Sequence, residues 1–148
     1  MPALTTTTKA DAYLGIHYTA ADRLGMLELS RPDVGNRVSL PMLNRLTEIL
    51  ELAAAEHDVL LIGGAGPDFC LGRERPEKTA KPVSPFDAFR PVAAFYGALS
   101  RFPGLVVTAV QGRAVGFGVG IALRSDICIA AENASFTLDE VTHGIPPM

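Results

Sequence analysis

Two stretches run from an apolar segment into a glycine-bearing turn: LLIGGAGPDFCLGRE at residues 60–74 and VVTAVQGRAVGFGVGIAL at residues 106–123. Glycine permits tight turns and lets a ligand approach the backbone closely. Where such a turn opens a helix, unpaired N–H groups point outward and the helix dipole adds roughly half a positive charge. Two turns of this kind, side by side, aim two N–H donors at one oxygen. That arrangement is an oxyanion hole, in which each donor is worth about 2.7–4 kcal/mol of transition-state stabilisation. Glycine turns after strands are also ordinary punctuation, so the spacing alone leaves both readings open. A nucleotide loop fares worse, because Gly116-Phe-Gly118-Val-Gly120 has neither the G-x-G-x-x-G spacing nor a Walker lysine.

These turns need strands and helices to hold them. Residues 14–30 place two apolar runs around Ala21-Asp22-Arg23, which predicts a β-hairpin ended by Arg31-Pro32-Asp33. Leu43, Leu46, Ile49, Leu50 and Ala53 fall at helical spacing behind a Ser39 cap and Pro41, predicting a helix over 40–56. Val59–Ile62 and Leu105–Val110 are continuous apolar runs, the pattern of strands covered on both faces. A mobile loop is expected over 73–85, a helix over 89–100 stopped by Pro103-Gly104, a short helix after Gly116 and a strand over 126–130. Strand and helix alternate, the α/β pattern.

A chain of 148 residues, 48% hydrophobic, suits one domain with a buried core. Its net charge of −3 gives no basic footprint for nucleic acid. No apolar run reaches the roughly 18 residues of a membrane span. Cys70 and Cys128 are too far apart for a CxxC motif, so neither a disulfide framework nor a metal cluster is expected, and apolar neighbours suggest inert packing for both. Residues 1–13 lack the apolar run of a signal peptide and read as a disordered tail, with one domain over 14–148. The expected location is the cytoplasm.

Taken in order, the motifs resemble the enoyl-CoA hydratase/isomerase (crotonase) family. LSRPDVGN, with Arg31, Pro32 and Asn36, is similar to the family's first strand end, and SLPMLNRLTEIL to its first long helix. Gly64-Ala-Gly66-Pro-Asp-Phe69-Cys-Leu-Gly72-Arg73-Glu74 matches its first glycine turn, and Pro103 through Gly118 its second. Asp126, Ala130, Ala134, Phe136, Glu140 and Gly144 match its last motif here. The resemblance implies a crotonase-like (ClpP/crotonase) spiral of ββα units, incomplete at the C-terminus, where further helices would finish the acyl pocket and support a homotrimer or dimer of trimers. A ClpP-type peptidase is disfavoured, since no serine lies in a nucleophile turn.

The resemblance also implies the site. The backbone N–H groups of Arg73 and Phe117 are the oxyanion donors, with Cys70, Leu71, Gly72, Gly116 and Gly118 lining the acyl-CoA thioester and Glu140 as catalytic carboxylate. Coenzyme A enters as part of the substrate, and no cofactor or metal is implied. The second carboxylate of the hydratases falls at Gly120 and is missing, which suits double-bond isomerisation better than hydration. A catalytically inactive thioester-binding or assembly protein of the same fold is the alternative. Glu140 also has a bland reading, as a helix cap or the partner of an arginine. Phe117 either shapes the acyl pocket or crowds the thioester. Arg73 either meets CoA phosphates or an acidic acyl group, or faces solvent. Glu74 is expected to brace its loop, Asp139 and His143 to lie outside the chemistry, and Met148 replaces the nucleophilic aspartate of the related dehalogenases.

Overall fold

The computed structural model describes residues 6–11, 14–74, 84–139 and 142. β2 (Ile16–Ala21) and β3 (Leu24–Leu29) form the hairpin, turning at Asp22, whose φ is 52°. Arg23 in that turn pairs with Asp58, fixing the hairpin to the start of β4 (Val59–Gly64). Between them α1 (Leu40–Glu56) begins where the Ser39 hydroxyl accepts from the Met42 N–H at 3.3 Å, with Pro41 in the first turn. Its buried face is Met42, Leu43, Leu46, Ile49, Leu50 and Ala53. Burying each large apolar side chain of this stripe contributes about 1.5–3 kcal/mol, which holds the helix on the sheet.

β4 lies parallel to β3, with Leu27 opposite Ile62. α2 (Pro85–Ser100) crosses to β5 (Leu105–Val110), parallel to β4. The chain then makes the short β6 (Arg113–Val115), α3 (Phe117–Arg124), β7 (Ile127–Ala130) parallel to β5, and β8 (Ser135–Thr137). With β1 (Thr6–Asp11) at its edge, the main sheet has the order β1-β2-β3-β4-β5-β7, and β6 pairs with β8 in a second, two-stranded sheet. A hairpin or strand followed by a helix, repeated along one sheet, is the α/β spiral expected from the motif order.

Several expectations change. Thr6–Asp11, assigned to a disordered tail, form β1, paired antiparallel with β2 from Thr6 opposite Ala21 to Asp11 opposite Ile16. Its β-branched threonines favour extended backbone, and an outer strand needs no apolar alternation. The runs in β4 and β5 are covered on one face only: Leu60, Ile62, Val106 and Val110 are buried, whereas Leu61 and Val107 are half-buried and Leu105 is exposed. α2 starts four residues before the expected Phe89, because Ser84 caps it and Pro85 opens it, and Pro91 sits inside the helix. Cys128 is exposed, because β7 is the outermost strand of the main sheet among the described residues and neither of its faces is covered, all four of its residues being exposed. Of the loop expected over 73–85, residues 75–83 lie outside the described residues.

Candidate active site

The two glycine turns meet. The Cys70 N–H donates to the Arg113 carbonyl at 3.2 Å, and the Val115 N–H donates to the Cys70 carbonyl at 2.9 Å. Cys70 and Ala114 thereby form an isolated parallel bridge that zips residues 70–72 to β6, directly before α3. The other side of the first turn is fixed by Val38, whose N–H donates to the Gly72 carbonyl at 3.0 Å and whose carbonyl accepts from the Glu74 N–H at 2.9 Å.

Neither the Arg73 N–H nor the Phe117 N–H has an acceptor among the described residues. Phe117 is the first residue of α3, so its N–H belongs to the unpaired first turn of that helix. Gly72 precedes Arg73 at φ +93°, a region that side chains rarely enter, and Gly116 precedes Phe117 at φ +49°. The two glycines are the bends that aim the following peptides, and each nominated donor directly follows such a bend.

Asn36 locks the first turn from beneath. It is fully buried at φ 53°, a left-handed conformation that asparagine tolerates better than most residues. Its Oδ1 accepts from the Arg31 N–H at 2.7 Å, and its Nδ2 donates to the carbonyls of Ala65 at 2.8 Å and Asp68 at 2.9 Å. Gln111 adds a tie from the second turn, donating to the carbonyls of Gly64 at 2.5 Å and Gly66 at 3.0 Å. Gly112 is required there, since at φ +57° a Cβ would stand 2.0 Å from the Pro67 carbonyl oxygen.

Asp68 clamps the turns by charge. Its Oδ1 accepts from the Arg113 N–H at 3.0 Å and Nε at 2.9 Å, and its Oδ2 from Nη2 at 2.7 Å. The Arg113 guanidinium holds the Asp68 carboxyl below the usual carboxylate range. A depressed folded pKa gives stability that is whole above the unfolded value of about 3.9 and is lost as pH falls through the folded value. Melts of the chain and of Asp68→Asn are therefore expected to differ most at neutral pH, with the wild type higher. The gap should narrow below about pH 4. A gap that stays constant through that range would show that the pair does not stabilise the turns.

The remaining nominated residues sort themselves by geometry. Cys70 and Leu71 have no backbone donor to offer a ligand. The Leu71 N–H donates to Gly35 at 2.8 Å and its carbonyl accepts from Arg37 at 2.7 Å, while both backbone groups of Cys70 join the zip. The Cys70 thiol is fully buried and burial pushes its pKa up to about 12, which matches the inert packing expected of it. The Phe117 ring is turned into the core. It is 5% exposed and packs 5.2 Å from the Phe95 ring and 5.3 Å from the Tyr96 ring, in the core between α2 and α3. Arg73 does not simply face solvent: it is half-buried, donates to the Ala88 carbonyl on α2 at 3.0 Å, and burial lowers its pKa. Glu74 braces its loop as expected, accepting from Arg31 at 2.5 Å. Glu140, His143 and Met148 lie outside the described residues. Among the described residues no group of acidic, histidine or cysteine side chains could hold a metal, and no helix is long and apolar enough to cross a membrane.

Sequence reasoning missed Asp68, Gln111 and Tyr96. Asp68 and Gln111 each sit beside a glycine turn, but only the meeting of the turns gives them partners. Tyr96 reads as one more apolar position on α2.

A spiral of this kind, with two interlocked glycine turns at the carboxyl ends of adjacent parallel strands, defines a crotonase-fold protein. The chain belongs to the enoyl-CoA hydratase/isomerase family, whose sequence profile matches residues 19–148. It is similar to an enoyl-CoA hydratase of Alternaria alternata, 32% identical over 121 residues covering 80% of this chain and 40% of that protein. It is also similar to the 1,2-epoxyphenylacetyl-CoA isomerase of Escherichia coli, 34% identical over 128 residues covering 82% of this chain and 49% of the isomerase. A Thermobifida fusca protein solved in complex with acetoacetyl-CoA superposes with a TM-score of 0.79 at 26% identity, covering 92% of this chain and 58% of that one. The chain thus spans about half or less of the length of these curated relatives.

Proposed function

We propose that the protein binds an acyl-CoA thioester with its carbonyl oxygen between the N–H groups of Arg73 and Phe117, and shifts a double bond along the acyl chain. The observation that carries this reading is the zip between the two glycine turns, which leaves those two N–H groups without an acceptor among the described residues. The acetoacetyl-CoA bound to the Thermobifida fusca neighbour supports a thioester as the ligand class.

The chemistry follows from a stabilised enolate. In a 3-enoyl thioester a base removes a proton from C2, the electron pair of that C–H bond forms a C1–C2 double bond, and the carbonyl π pair moves onto the thioester oxygen. When the carbonyl re-forms, the C1–C2 pair becomes the C2–C3 double bond and the C3–C4 pair takes a proton at C4, returned by the same base, so atoms and charge balance without water. In the intermediate the negative charge rests on the thioester oxygen, where the two N–H donors act. Glu140 is the proposed base, and one carboxylate suffices because it ends as it began. Hydration, which uses two carboxylates in the hydratases, has only glycine at position 120. Assembly as a homotrimer or dimer of trimers is proposed on the resemblance.

The test is exchange of acyl protons into deuterated water over a panel of acyl-CoA thioesters, read by mass spectrometry. Deuterium should enter at C2, and at C4 for enoyl substrates. Thioester binding without any exchange would replace the enzyme by the inactive binder of the same fold.

A further inference from the structure

We propose that Tyr96 is the residue that sets the reaction, by filling the space a second carboxylate would need and so keeping the chemistry to proton transfer. This rests on the thioester reading above. The decisive contact is at Gly120, in the first half of α3. A Cβ built there would stand 1.9 Å from the Tyr96 hydroxyl oxygen, 2.5 Å from Cζ and 3.1 Å from Cε1. The position has therefore not merely lost a side chain. The aromatic residue of a neighbouring helix occupies the volume, and a side chain at 120 requires Tyr96 to shift.

Tyr96 cannot easily step aside. It is 7% exposed, and its hydroxyl donates to the Phe117 carbonyl at 3.3 Å. Its ring stacks on that of Phe117 at 18°, and the Arg124 guanidinium carbon lies 4.0 Å from its ring centroid. Arg124 in turn donates to the Gly120 carbonyl at 3.2 Å. Stacked aromatic and cation–π contacts each add a modest attraction beyond the area they bury. The same hydroxyl fixes the carbonyl of the residue whose N–H is a proposed oxyanion donor, so Tyr96 both positions that donor and closes the place from which a second carboxylate would activate water. Hydration adds the oxygen of water to C3 and a proton to C2. Isomerisation adds nothing.

Two measurements on the whole chain test this. The first is a double-mutant cycle read by denaturant melts, combining Gly120→Ala with Tyr96→Ala. In the Tyr96 background Gly120→Ala should raise the unfolding equilibrium constant at least tenfold, and in the Tyr96→Ala background by less than threefold. Equal effects in both backgrounds would overturn the proposal. The second uses crotonyl-CoA in deuterated water and, separately, in water labelled with oxygen-18. The wild type should take up deuterium with oxygen-18 incorporation at least a hundredfold slower. Tyr96→Ala/Gly120→Glu should narrow that ratio at least tenfold. Comparable deuterium and oxygen-18 rates in the wild type would overturn the proposal too. If deuterium uptake is absent altogether, the thioester chemistry fails, while the melts still decide whether Tyr96 excludes a side chain at 120.

Discussion

Gly118→Ala is expected to reduce acyl proton exchange on the order of 100-fold or more, the worth of one oxyanion donor. The cause is a single methyl group. A Cβ at position 118 would stand 2.5 Å from the Cys70 carbonyl oxygen and 2.9 Å from the Cys70 Cβ. The oxygen is backbone and already accepts from the Val115 N–H at 2.9 Å, so it cannot rotate away as a flexible side chain would. The first turn must therefore retreat from the start of α3, and the Arg73 and Phe117 N–H groups lose their relative position. Overpacking of this kind costs about 1–3 kcal/mol of stability, which lowers the melt without abolishing the fold. Gly63→Ala is the matched control, since a Cβ there meets nothing within 4 Å. Exchange should survive in Gly63→Ala. If Gly118→Ala exchanges at the wild-type rate, the contact between the turns is not what aligns the donors.

The contrast between those two glycines marks what a sequence can and cannot reveal. Both end or follow an apolar run, and both read as turn residues. Only the approach of Cys70 distinguishes Gly118, and that approach joins residues 48 positions apart. Local signals were legible where one element carried them: the helix over 40–56 appears as expected, because the Ser39 cap and the spacing from Leu43 to Ala53 are both local. The hairpin, β4 and β5 were legible for the same reason. The three-residue strands β6 and β8 were not, being too short to show a period of two. The burial of Phe117 and the exposure of Cys128 depended on neighbours from other elements, α2 in one case and the place of β7 in the sheet in the other. Arg73 and Phe117 were nominated as donors only through the resemblance. What the structure adds is the reason they stand free: each follows a glycine bend, and the zip consumes the backbone groups around them.

Glu140→Gln should lower exchange by a further factor of about 100 to 10,000, the usual contribution of a positioned general base, while thioester affinity stays within about threefold. The argument is chemical. Glutamine keeps the length and shape of glutamate but cannot take up a proton at C2 and release it at C4. The two N–H donors are backbone groups and do not change, so the thioester oxygen keeps its contacts and binding persists. Glu140→Asp separates charge from reach: it restores a carboxylate one methylene shorter, and exchange should recover only in part, because proton transfer requires the base within hydrogen-bond distance of the carbon-bound proton. Affinity measured by calorimetry on a non-exchanging thioester, with exchange followed in parallel, tells the outcomes apart. Lost exchange with retained affinity assigns the proton to Glu140. Retained exchange in Glu140→Gln would place the base on another residue and return Glu140 to a structural role. Loss of both would mean that the carboxylate holds the site in shape, and that the N–H pair alone does not bind the thioester.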